Sequence, residues 1–106
     1  MPEPNDRTAV VLITLVRARP EHVDSVGARL QTVVRPSRTE ADCVSYEVVQ
    51  SASDPQDVAV VEAWASEAAL DAHLARSAEF GVEHQLLPEL ESGPEIRRYR
   101  PFGRSP

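Results

Sequence analysis

From Ala9 to Arg17 the chain runs Ala-Val-Val-Leu-Ile-Thr-Leu-Val-Arg, a β-branched and aliphatic stretch that predicts a first strand. Pro20 then predicts a helix start, because the first turn has no use for the N–H that proline lacks. Val23, Val26, Leu30, Val33 and Val34 recur at steps of three and four and give that helix one apolar stripe. Glu21 and Asp24 in its first turn and Arg35 in its last suit the helix dipole. Pro36 predicts an end or a kink, with residues 37–40 free to add one more turn. Cys43–Gln50 and Val58–Ala65 read as the second and third strands, joined by the turn-rich stretch Ser51–Asp57. Ser66 is a fitting N-cap for a second helix, on which Leu70, His73, Leu74 and Ser77 share a face. Gly81 breaks that helix, and Val82–Leu90 carries a short helical pattern disturbed by Pro88. Ser92-Gly93-Pro94 reads as a turn, and Glu95–Arg100 as a final strand.

The order strand, helix, strand, strand, helix, strand predicts an α+β domain of split β-α-β build. Its four-stranded antiparallel sheet carries helices on one face. The domain spans residues 9–101, between a polar tail at 1–8 and a C-terminal tail at 102–106.

Alternation along the strands carries a further expectation. Val10, Leu12, Thr14 and Val16 fall on one face of the first strand, and Val11, Ile13 and Leu15 on the other. In the third strand Val58, Val60, Glu62 and Trp64 oppose Ala59, Val61, Ala63 and Ala65. Both faces are largely apolar, whereas two helices cover only one. A second copy laid sheet to sheet would cover the other, so the pattern predicts a homodimer.

Composition narrows the function. The chain has 106 residues, 42% hydrophobic and 26% charged, with a net charge of −6 and no lysine. That balance argues against nucleic acid, whose phosphates call for clustered positive charge. The longest apolar run, Ala9–Val16, is far too short to span a membrane, and no basic, then apolar leader opens the chain, so a cytoplasmic protein is expected. Cys43 is the single cysteine, which excludes an internal disulfide. No Gly-rich phosphate loop, metal-ligand cluster or Ser-His-Asp spacing is present.

Three segments together carry a resemblance. They are Cys43-Val44-Ser45-Tyr46-Glu47-Val48, Val61-Glu62-Ala63-Trp64, and Ala68-Ala69-Leu70-Asp71-Ala72-His73-Leu74. In this order, and with Gly93-Pro94 before the last strand, they resemble the antibiotic biosynthesis monooxygenase domain family. The resemblance spans about Val10 to Pro101. It implies a ferredoxin-like protomer assembled into a dimeric α+β barrel. It also implies a monooxygenase that oxidises a quinol, anthrone or related aromatic with O2, without metal or flavin. Such a reaction needs an apolar pocket with one or two polar groups that remove a proton and stabilise the resulting anion.

Carried onto this chain, the resemblance makes His84, His73 and Glu62 the candidate catalytic groups. Trp64, Val60, Leu70, Phe80 and Tyr46 become the candidate substrate-binding wall. Each also has a plain structural reading. Trp64, the only tryptophan, is either a pocket wall or a core residue sealing the sheet. Glu62 is either a general base or a buried acceptor holding an Arg or His. His73, between Leu70 and Leu74, is either a pocket acid or base or a hydrogen-bonded core histidine. His84 lies about where anthrone oxygenases carry an Arg and within a residue of the iron-binding His of haem-degrading relatives; otherwise it is a surface histidine. His22 is expected at the surface, and Cys43 reads as a small buried hydrophobe rather than a nucleophile. The run Arg97, Arg98 and Arg100 is expected to pair with acidic residues of a partner subunit.

The departures from the family pattern matter as well. The only asparagine is Asn5. The place of the anthrone-type Asn falls on Val60 and that of its Tyr on Leu70. The strand-one Asn of the haem branch falls near Val16, and its ring-distorting Trp on His73. Neither mechanism carries over intact, which leaves two alternatives: an oxygenase working with histidines, or a non-catalytic dimeric module that binds small molecules.

Overall fold

The computed structural model describes residues 7–103, with the side chains of residues 79, 80, 82 and 83 outside the description. Strands β1 (Val10–Ala18), β2 (Cys43–Gln50), β3 (Asp57–Trp64) and β4 (Leu90–Tyr99) form one antiparallel sheet in the order β2-β3-β1-β4. Helices α1 (Val23–Gln31) and α2 (Val34–Arg38) lie between β1 and β2, and α3 (Glu67–Phe80) and α4 (Val82–Leu86) between β3 and β4. β3 sits between β1 and β2, which is the split β-α-β arrangement, and the fold is ferredoxin-like α+β.

The predicted faces are the observed ones. Val10, Leu12, Thr14 and Val16 of β1 and Val58, Val60, Glu62 and Trp64 of β3 are buried. Val26, Leu30, Val34, Leu70 and Leu86 from the helices complete this core. Val11, Ile13, Leu15, Ala59, Val61 and Ala63 point the other way and are only half-buried.

Two elements differ from expectation. The single helix expected from Pro20 is divided into a 3-10 turn at Pro20–His22, then α1, then α2. Thr32, Val33 and Val34 are β-branched and lose rotamer freedom in a helix. The Thr32 hydroxyl donates back to the Arg29 carbonyl at 2.6 Å, closing α1. Pro36 then sits in the first turn of α2, where no N–H is required of it.

The last strand begins at Leu90, five residues before the expected start at Glu95, because Ser92-Gly93-Pro94 is not a free turn. Arg17 pairs with Ser92 and Leu15 with Glu95, so Gly93 and Pro94 together oppose Val16 in a β-bulge. Proline fits there because it has no N–H to give the ladder. Gly93 has φ +90°, and a Cβ on it would meet the Leu15 carbonyl oxygen at 2.7 Å. Gly93→Ala is therefore expected to lower unfolding free energy by about 2–3 kcal/mol. Urea denaturation reads this directly, and an unchanged midpoint would contradict the close approach.

The arginines of the last strand also differ from expectation, because acidic groups of the same chain meet them. Arg98 donates to Glu67 at 2.7 Å and Asp71 at 3.3 Å, tying β4 to α3, and Arg97 donates to Glu95 at 2.7 Å. Arg100 lies 3.8 Å from Glu67.

Candidate functional site

The register of the sheet sets the floor of the site. Glu62 on β3 stands between Leu12 on β1 and Tyr46 on β2, and Val60 stands between Thr14 and Val48. Paired residues in a sheet point to the same side, so these two rows face the helices together. Above them lies a cavity of about 530 Å³, inside the usual range for a small-molecule site. Thr14, Val16, Val60 and Tyr46 form its floor, while Leu30, Val33, Pro36 and Leu86 close it from the helices. The β4 bulge places Pro94 at its edge.

One wall is polar, comprising Glu62, His73, Ser77, Glu40 and Arg76. α3 delivers three of these because residues 73, 76 and 77 fall within about one turn. The helix is set by Ser66, whose hydroxyl accepts from the Ala69 N–H at 3.0 Å, and it ends at Gly81 with φ 65°. Glu62 and Trp64 alternate onto one face of β3, and the Trp64 indole N–H donates to Glu62 Oε1 at 3.1 Å. The His73 ring lies 4.8 Å from the Trp64 ring and 5.5 Å from Tyr46, edge-on to the latter. Its Nδ1 is 2.8 Å from Glu40 Oε2, and its Nε2 is 3.2 Å from the Ser77 hydroxyl and 3.5 Å from Glu62 Oε1. Arg76 donates through Nε to Glu40 Oε1 at 2.9 Å and reaches the same oxygen through Nη2.

The result is an unbroken chain of polar groups from the buried Trp64 to the exposed Arg76. Glu62 and His73 are 3% and 4% exposed, so each needs these partners to offset lost hydration. Burial pushes the Glu40 carboxyl upward, but hydrogen bonds from Arg76 and His73 outweigh it and hold it below the usual carboxylate range. The arrangement can take a proton from a bound hydroxyl, hold it in an enclosed place, and stabilise the anion left behind.

The structure brings His73, Glu62, Val60 and Tyr46 together at the cavity. Trp64 and Leu70 are fully buried behind it rather than among the lining residues. His84 is exposed on α4 and is not among the lining residues, because α4 turns Leu86 inward instead. The side chain of Phe80 lies outside the described residues. His22 is half-buried, with Nδ1 3.6 Å from Glu89. Cys43 is half-buried, and burial first, then Glu40 and Glu62, push its thiol up, which disfavours the thiolate.

Glu40 and Arg76 are the members that sequence reasoning missed. Glu40 lies in the turn after α2 and meets a histidine 33 positions later, so no local spacing could have flagged it. Among the described residues no group of His, Cys, Asp and Glu is arranged to hold a metal ion, and no helix is long and apolar enough to cross a membrane.

Two further carboxyls share Glu40's direction. Glu89 accepts from Ser25 at 2.7 Å and from Arg29 at 2.9 Å, and Asp54 accepts from Arg17 at 2.8 Å. In each case the hydrogen bonds named hold the carboxyl below its ordinary range. A carboxyl with a lowered folded-state pKa contributes stability above its unfolded value, about 4, and loses it as pH falls toward the folded value. The melting temperature is therefore expected to stay level from pH 7 to about 5 and then fall steadily. Thermal melts from pH 7 down to pH 3 check this; a flat curve over the whole span would contradict it.

A model of the family described as antibiotic biosynthesis monooxygenase matches residues 9–82. An uncharacterised protein of Synechocystis is 28% identical over 92 residues, covering 86% of this chain; the chain spans only 62% of that relative's length. A solved structure from Shewanella oneidensis is 27% identical with a TM-score of 0.80, covering 91% of this chain and 93% of that one. One from Pseudomonas aeruginosa is 26% identical with a TM-score of 0.79, covering 91% and 96%. With most of its length matched by the family model, and the fold shared almost end to end with these structures, the chain belongs to the antibiotic biosynthesis monooxygenase family.

Proposed function

We propose that this protein is a cytoplasmic, homodimeric monooxygenase that oxidises a quinol, anthrone or related electron-rich aromatic with O2, using neither metal nor flavin. The observation that carries the reading is the buried Glu62–His73 pair on the wall of an otherwise apolar cavity. A flat aromatic fits between Val60 and Tyr46 below and Leu30 and Leu86 above. Its acidic proton passes to the Glu62–His73 pair. The resulting anion adds to O2, giving it two electrons and forming a C–O bond to a hydroperoxide. Loss of water then breaks the O–O bond and draws two more electrons from the C–H bond left on the same carbon. The substrate thus supplies four electrons in all: one oxygen stays as a carbonyl, and the other leaves as water with the two protons the substrate gave up. The enclosed site keeps the carbanion or phenolate away from bulk water until O2 arrives.

A second reading, a non-catalytic dimeric module that binds apolar ligands, is favoured by the bare hydrocarbon of Val60 where the resemblance places an asparagine. Oxygen uptake by the purified protein with a panel of quinols and anthrones separates the two. Uptake is expected. No uptake, with the same compounds still shifting Trp64 fluorescence, would overturn the oxygenase and favour the binder.

A further inference from the structure

Glu40 uses its two oxygens on two different partners. Oε2 faces His73 Nδ1 at 2.8 Å, and Oε1 faces Arg76 Nε at 2.9 Å. Its side chain is 18% exposed, against 49% for Arg76 and 5% for His73, so the three step from solvent into the cavity wall. Two forces keep this carboxyl ionised: a guanidinium that only donates, and a ring nitrogen within donating distance. An ionised carboxylate is acceptor-only, so the atom facing it must carry a hydrogen.

We propose that Glu40, braced by Arg76, is a positioning residue that commits one proton of His73 to Nδ1 and so leaves Nε2 as the nitrogen that exchanges protons with the cavity. In its catalytic consequence this rests on the reading of the cavity as an acid–base site. Nε2 lies 3.2 Å from the Ser77 hydroxyl and 3.5 Å from Glu62 Oε1, which already accepts from the Trp64 indole, so Glu62 holds Nε2 far less closely than Glu40 holds Nδ1 at 2.8 Å. A serine hydroxyl donates to a bare Nε2 and accepts from a protonated one, so Ser77 satisfies His73 in both states. A proton that Glu62 removes from a ligand thus has a neighbouring acceptor whose orientation and tautomer are already fixed.

The test is 15N NMR of the ring nitrogens of the full chain, with His73 assigned by its loss in His73→Gln. In the native protein, at a pH where the ring is neutral, Nδ1 is expected at the protonated position and Nε2 at the unprotonated one. Glu40→Gln should reverse the pair. Arg76 has donors only, so the new amide must turn its oxygen toward Arg76 and its NH2 toward Nδ1, which drives the proton to Nε2. A native ring carrying its proton on Nε2 would overturn the proposal, whether or not the variant folds. So would a folded Glu40→Gln protein whose Nδ1 keeps its proton. Absence of O2 uptake in the native protein defeats the oxygenase reading and leaves the ring assignment to be judged on its own spectrum.

Discussion

Glu62→Gln is expected to lower kcat for O2 uptake, with whichever quinol or anthrone the native protein accepts, by about 10²–10⁴-fold, the usual weight of a positioned proton acceptor. KM should change little, because the amide keeps nearly the shape of the carboxylate and the apolar walls that hold the substrate are untouched. The glutamine oxygen can still accept from the Trp64 indole N–H, which now meets Glu62 Oε1 at 3.1 Å. What the variant loses is the ability to receive a proton. A matched loss in kcat and kcat/KM, with an unaltered melting temperature, is the expected signature. A Glu62→Gln protein with native kcat would show that the carboxylate is only a packing acceptor for Trp64 and His73. His73→Gln run in parallel should give a loss of similar size, and combining the two should not multiply the effects, since the residues act as one unit.

The fold was largely legible because its determinants are local or periodic. The strict alternation of Val10, Leu12, Thr14 and Val16 against Val11, Ile13 and Leu15 forces one face inward. Ser66 and Gly81 mark the ends of α3 in one-residue signals. The misreadings came from side chains whose role depends on a distant partner. The Ser92-Gly93-Pro94 stretch has turn composition, yet it becomes a bulge because β1 is there to pair with it. The Arg98 guanidinium is satisfied by Glu67 and Asp71 of the same chain, a pairing created only when α3 packs beside β4. The site divides along the same line. His73, Glu62, Val60 and Tyr46 sit at positions with a recognisable pattern, whereas Glu40 joins them only because the turn after α2 comes up against α3, and Arg76, one turn from His73 on α3, gains its partner only then.

Val61→Asp is expected to turn a dimer of about twice 11.7 kDa into a folded monomer, read by sedimentation at micromolar concentration. Val61 lies in the middle of the face turned away from the helices, between Ile13 on β1 and Glu47 on β2. Val11, Leu15, Ala59 and Ala63 surround it on the same side, and Tyr99 and Val49, 46% and 43% exposed, extend the face at either end. Large exposed side chains beside a half-buried aliphatic strip are costly to leave wet, and a second sheet laid across them removes that cost. An aspartate at the centre of such an interface is an unpaired buried charge, at about 3–5 kcal/mol, and it also stands directly opposite the Glu47 carboxylate. In a two-fold assembly the substitution enters twice, once from each copy, so the dissociation constant should rise by well over about 100-fold. In the isolated protomer the same aspartate faces water and costs little, so far-ultraviolet circular dichroism should keep its native shape. Val61→Asp protein that still sediments as a dimer would place the interface elsewhere. A native protein that runs as a monomer would mean that these valines, alanines and isoleucines tolerate water without a second sheet to cover them.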